Sequence, residues 1–221
     1  MLWGCAVLAM VSVIGANLWR DRGGAGAGAT TVDENAPADA DQPVRIKHDV
    51  PAFALIDQND KPVTLESLKG RPFIANFIFT HCAGPCPVMS AKMASLQKSV
   101  PADVKLVSFS VDPAQDRPAV LKEYAQRFNA DEQRWHFLTV ANSTDTKEIY
   151  DLAERMLLAA QPANEAERTP VIHSEKFILV DGEGVIRAYY NSGSDKQMEQ
   201  LKTDAKDLLA AGASAGTGPK R

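Results

Sequence analysis

Between Phe73 and Met93 the chain reads F-I-A-N-F-I-F-T-H-C-A-G-P-C-P-V-M-S-A-K-M, and few folds accommodate such a passage. Phe73 to Phe79 is an almost unbroken apolar run, short enough to be a strand buried on both faces. Thr80 to Pro85 then breaks every regular period, and Gly84-Pro85 marks a tight loop. From Cys86 onward Met89, Met93, Leu96 and Val100 recur at helical spacing. Pro87 falls in the first turn, where a missing N–H is no loss. The sequence thus predicts a strand, a loop and a helix, with Cys82 and Cys86 at the positive end of the helix dipole.

A thiol at a helix N-terminus has its thiolate stabilised, and the thiolate is both nucleophile and metal ligand. Cys82 and Cys86 are separated by Ala83, Gly84 and Pro85. That spacing allows a disulfide and also leaves room for a soft ion, since thiolates select Cu(I), zinc or iron–sulfur clusters. The pair alone is too few for a Cys₄ zinc site or an ordinary cluster. Two inert buried thiols, or a plain structural disulfide, form the alternative, and a loop setting weighs against both.

At 221 residues the chain allows one ordinary domain with extensions. Its net charge of −4 argues against a nucleic-acid partner. Of its three cysteines only Cys82 and Cys86 lie in the globular part, so no disulfide scaffold is indicated. Leu2 to Trp19 is apolar apart from Ser12 and Asn17. It would span roughly 27 Å as a helix, just under the ~30 Å of a hydrocarbon core. Residues 1–20 therefore read as a membrane anchor or signal segment. Arg20 and Arg22 follow it and no positive charge precedes it, an atypical pattern for a domain outside the cytoplasm. Leu2-Trp3-Gly4-Cys5 faintly resembles a lipoprotein cleavage site but has no hydrophobic region before it.

Residues 21–45, rich in Gly, Ala, Thr, Asp and Pro, read as a flexible linker, with the domain over 46–210 and a disordered tail over 211–221. Phe53 to Asp57 and Pro62 to Leu65 suggest a hairpin, followed by a short helix that Gly70 ends. Val104 to Val111 is a second strand, completing a βαβ unit. Asp116 reads as the N-cap of a helix over Arg117 to Phe128. Trp135 to Val140 is a third strand, and Ile149, Leu152, Ala153, Met156 and Leu157 mark an amphipathic helix. A polar loop then delivers His173 ahead of the hairpin Phe177–Val180 and Val185–Tyr190. Ser194 caps the last helix. A βαβ unit, a β-hairpin and a closing helix make an α/β chain of thioredoxin-like fold, with an N-terminal β-hairpin extension preceded by a membrane-anchor helix and tether.

F-I-F-T-H-C-A-G-P-C-P, F-S-V-D-P-A-Q-D and H-S-E-K-F-I-L-V-D-G-E-G stand in order along the chain. Together they resemble the Sco (SenC) family of copper-binding thioredoxin-fold proteins over about Phe53 to Leu208. The resemblance implies a membrane-anchored protein of the bacterial inner membrane, facing the periplasm or an equivalent intermembrane space. It implies a copper metallochaperone that helps assemble the dinuclear copper centre of cytochrome c oxidase. Cys82, Cys86 and His173 would be the ligands for Cu(I) and Cu(II), and Asp112 a group near the metal but outside the ligand set. The copper-bearing oxidase subunit would be the partner, with a further copper donor or a thioredoxin-like reductant beside it. Ala83 stands where the family usually has a proline after the first cysteine, which removes no ligand.

A thiol–disulfide oxidoreductase is the competing function: Cys82 or Cys86 would attack a disulfide in the target, here its copper-binding cysteines, and the other thiol would resolve the mixed disulfide. It does not need His173 as a ligand. His81 reads as a variable loop residue that adjoins Cys82. His48 and His136 read as structural, and Met89 and Met93 as core residues despite their soft sulfurs.

Overall fold

The computed structural model describes residues 41–144, 146–156 and 175–215, within the compact unit that runs from Pro37 to Arg221. The expected anchor, most of the linker and His173 lie outside the described residues. Among these residues no helix is long and apolar enough to cross a membrane.

Among the described residues eight strands and five helices follow one another as β1 (Val44–Asp49), β2 (Ala54–Ile56), β3 (Pro62–Thr64), α1 (Leu65–Leu68), β4 (Phe73–Ile78), α2 (Pro85–Ser99), β5 (Lys105–Ser110), α3 (Pro118–Arg127), β6 (Trp135–Leu138), α4 (Lys147–Arg155), β7 (Lys176–Val180), β8 (Val185–Asn191) and α5 (Asp195–Ala215). Six strands form one sheet in the order β1-β8-β7-β4-β5-β6. β4, β5 and β6 are parallel, as helical crossovers require. β7 runs antiparallel to β4, and β8 to β7. The β4-α2-β5 unit, the β7–β8 hairpin and α5 give the thioredoxin-like arrangement expected from the sequence. Every residue of β4 is buried, which accounts for its unbroken apolar run at the centre of the sheet.

Three details depart from the sequence reading. β1 pairs antiparallel with β8 across the boundary where linker was expected, and it carries His48, whose Nε2 lies 2.8 Å from the Arg155 carbonyl oxygen. As an edge strand β1 buries little, so its apolar signal is weak. α5 continues to Ala215, beyond the expected tail boundary. Asp116 does not cap α3: Arg117 holds the N-cap position with no side-chain bond, and Pro118 begins the helix.

The β2–β3 hairpin seals the β6 edge. Ile56 and Thr139 exchange both backbone bonds at 2.9 Å. The buried Gln58 side chain donates to the Trp135 carbonyl at 3.0 Å and accepts from the Phe137 N–H at 2.8 Å. An amide side chain thus replaces a missing neighbour strand. Beneath the sheet, Trp135 Nε1 donates to Ser108 Oγ at 3.0 Å, and that hydroxyl donates to Asn76 Oδ1 at 2.7 Å. The β7–β8 turn is held by Asp181 Oδ1, which accepts from the Glu183 and Val185 N–H groups, while Gly184 takes φ +85°.

Candidate metal centre at the strand-to-helix loop

The last ladder bond between β4 and β5 is Val111 N–H to the Ile78 carbonyl at 2.9 Å. Past it the two backbones part, and the β4 side becomes the cysteine loop. Cys82 N–H closes a turn onto the Phe79 carbonyl at 3.3 Å. Gly84 is the N-cap of α2, offers no side chain to the first turn, and donates its own N–H to Cys82 Sγ at 3.4 Å. Pro85 opens the helix, one residue earlier than the periodicity suggested. Cys86 follows in the first turn.

Both thiols are free, and both are buried, at 8% and 4% exposure. Burial pushes the Cys86 thiol up to about 12; neighbouring Cys82 and Asp116 add to the rise and a Phe79 backbone hydrogen bond opposes it. The thiolate stabilisation expected from the helix N-terminus is therefore overturned at Cys86. A helix terminus is worth about 0.3–1 kcal/mol, under one pKa unit, whereas burial moves such groups by up to about 3–5 units. As a free dithiol Cys86 is protonated, and an incoming metal must displace that proton.

Asp112, expected near the metal, is buried at the end of β5 with Oδ2 3.3 Å from His81 Nε2. The His81 ring also meets Phe79 edge-on at 5.2 Å. His81, read as a variable loop residue, is thus tied to the β5 side of the site. Met89 and Met93 lie in the core, as their spacing indicated. Ser90 Oγ is 3.0 Å from the hydroxyl of Tyr124, whose phenol burial pushes up to about 12. His136 lies on β6, with Nδ1 3.7 Å from Asp57 Oδ2, away from the cysteine loop.

The sequence reading missed the role of Asp116. Its carboxylate, wholly buried, accepts from the Thr80 N–H at 3.1 and 3.3 Å, from Thr80 Oγ1 at 2.5 Å and from Ser110 Oγ at 2.6 Å. Burial raises its pKa, and the Ser110 and Thr80 bonds oppose that rise. The only sequence signal was an acidic residue shortly after a strand, which also describes a helix cap.

Among the described residues no three His, Cys, Asp or Glu side chains are grouped to hold a metal. The described loop brings two soft donors, Cys82 and Cys86; His173 lies outside.

The SCO1/SenC family model matches residues 42–209. The SCO1 protein homolog of Bacillus subtilis (strain 168) is 35% identical over 164 residues, covering 73% of this chain and 83% of that protein. The structure of BsSco, a member of the Sco family of cytochrome c oxidase assembly proteins in which a disulfide switch was identified, matches with a TM-score of 0.65 at 34% identity. That match covers 75% of this chain and 96% of the other. ScoI of Bradyrhizobium japonicum, solved with copper bound, matches at a TM-score of 0.59 and 26% identity over 72% of this chain and 98% of its own. The fold, the loop with its paired thiols and these likenesses agree: the chain belongs to the SCO1/SenC family.

Proposed function

We propose that this protein is a copper metallochaperone: it binds copper through Cys82, Cys86 and His173 and delivers it during assembly of the dinuclear copper centre of cytochrome c oxidase. The observation that carries the reading is a pair of unbonded thiols, buried together on one loop, at the end of the sheet where β7 begins. β7 is antiparallel to β4, so Lys176 stands near the end from which the cysteine loop leaves. His173 precedes Lys176 by three positions, a reach of at most ~10 Å along the chain. Two thiolates favour Cu(I), and an imidazole extends the donor set to Cu(II). The copper-bound relative and the oxidase-assembly description of BsSco support copper as the cargo and the oxidase's copper-bearing subunit as the recipient.

In this reading copper is what the protein carries. Cys82 and Cys86 give up their thiol protons as the ion enters. The burial that holds the Cys86 thiol protonated also keeps water from the sulfurs until then. Release follows when the recipient's thiolates replace these ligands one at a time. An apolar segment within residues 1–20 would anchor the domain to the inner membrane through the linker, facing the periplasm.

The free state of the two thiols also supports thiol–disulfide exchange as a second reading, in line with the disulfide switch identified in BsSco. Copper titration of the reduced full chain in detergent, beside His173→Ala, tests the choice. One tight copper per chain, with a thiolate-to-Cu(II) absorption band lost in the variant, is the expected outcome. Weak binding indifferent to His173, together with rapid reduction of a model disulfide, would leave the reductase instead.

A further inference from the structure

We propose that Asp116 is a positioning residue for the sulfur pair, acting through Thr80 to fix Cys82 against Cys86. This rests on the copper reading only for what the pair is used for.

The β4–β5 ladder ends at the Val111-to-Ile78 bond, and the next N–H on the β4 side, that of Thr80, meets no strand. The Asp116 carboxylate takes that N–H and the Thr80 hydroxyl together, standing in for one more rung. A turn carries it there: Asp116 N–H donates to the Asp112 carbonyl at 2.8 Å, and Gln115 N–H to the same oxygen at 3.1 Å. Ser110 Oγ steadies the carboxylate from behind and also accepts the Asp112 N–H at 3.2 Å.

Thr80 is two residues before Cys82, and the intervening backbone is closed by the Cys82-to-Phe79 bond. Little freedom remains between the Thr80 strap and Cys82. The other sulfur is fixed from the same segment of chain. Two residues after Asp116, α3 begins, and its Tyr124 meets Ser90 on α2, one turn beyond Cys86. The two cysteines, on opposite sides of the loop, are thus both registered against the stretch from Ser110 to Tyr124. A wholly buried carboxylate is expensive to retain as a mere filler. Bonds from three groups, two of them on the residue leading into the cysteine loop, explain its presence.

Disulfide exchange reads the position of the sulfurs with no metal present. In a Cys5→Ser background, the Cys82 and Cys86 thiols pass two electrons and two protons to one molecule of glutathione disulfide. It leaves as two glutathione thiols, and one Cys82–Cys86 bond forms. The equilibrium constant reports how well the pair is held for closure. Thr80→Val keeps the carboxylate but removes the hydroxyl strap; Asp116→Asn disturbs both straps. Each is expected to lower the constant about tenfold, about 30 mV on a two-electron couple. Thr80→Ser, which keeps the hydroxyl, is expected to retain the wild-type value. Tyr190→Phe, which loses a partly buried bond to Asp204 elsewhere in the fold, is expected to leave the constant unchanged despite lower stability.

A wild-type constant in folded Thr80→Val or Asp116→Asn overturns the proposal, as does a Thr80→Ser shift equal to that of Thr80→Val. If one variant fails to fold, the other decides. Copper affinity measured in parallel separates the two readings. A wild-type chain that takes up no copper sinks the chaperone function, while the disulfide constant still judges Asp116.

Discussion

A neutral imidazole is far cheaper to bury than a charged one, and His136 is held in the neutral form. Burial pulls its pKa below the ordinary 6.5; Lys105 and Lys61 add to that, while Asp57 opposes it. Because the folded chain binds this proton less readily than the unfolded chain, acid favours unfolding. The contribution is intact above 6.5 and is lost as pH falls from there towards the depressed folded value. His136→Gln is therefore expected to lose less stability than wild type between about pH 7.5 and pH 5, measured by urea unfolding. An equal loss in both proteins would show that His136 has no part in it. At this scale the sequence was legible in the placing of Cys82 and Cys86 together where a strand hands over to a helix. It was misleading at Asp116, because a helix cap and a buried strap share one local pattern. What separates them is Thr80, brought opposite by the β4–β5 pairing.

The helix that carries Cys86 is finished at its far end by Arg134. Its guanidinium donates to the carbonyl oxygens of Gln97 at 2.6 Å, Val100 at 3.0 Å, Pro101 at 2.7 Å and Val104 at 3.0 Å. A cation at the negative end of α2 also suits the helix dipole. Arg134→Met keeps the apolar stem and removes the fork, and is expected to lower stability by roughly 2–3 kcal/mol in chemical denaturation. A loss below about 0.5 kcal/mol would mean that water replaces those bonds in full. α2 itself could be read from its methionine and leucine spacing. Arg134 could not, since it sits in a polar turn and its carbonyl partners lie at least thirty residues earlier in the chain. β1 escaped for a related reason: its register with β8 joins residues from opposite ends of the domain.

Across the whole molecule the sheet has one edge closed by a side chain and another formed by the strand nearest the N-terminal extension. Gln58→Leu removes both bonds to β6, leaving the Trp135 carbonyl and the Phe137 N–H unpaired under the hairpin. A loss of roughly 2–4 kcal/mol is expected, with concentration-dependent association through the opened edge in sedimentation. A monomer of wild-type stability would assign the sealing to the Ile56–Thr139 pair alone. β1, at the opposite edge, has a mechanical consequence. A pull on the chain ahead of Val44 loads the β1–β8 ladder first, together with the Arg45–Asp204 latch at 2.8 Å. β8 and β7 stand between that ladder and β4, the strand that leads into the cysteine loop. A load applied there is therefore taken up two strands away from the sulfurs, and the loop that positions them is insulated from it.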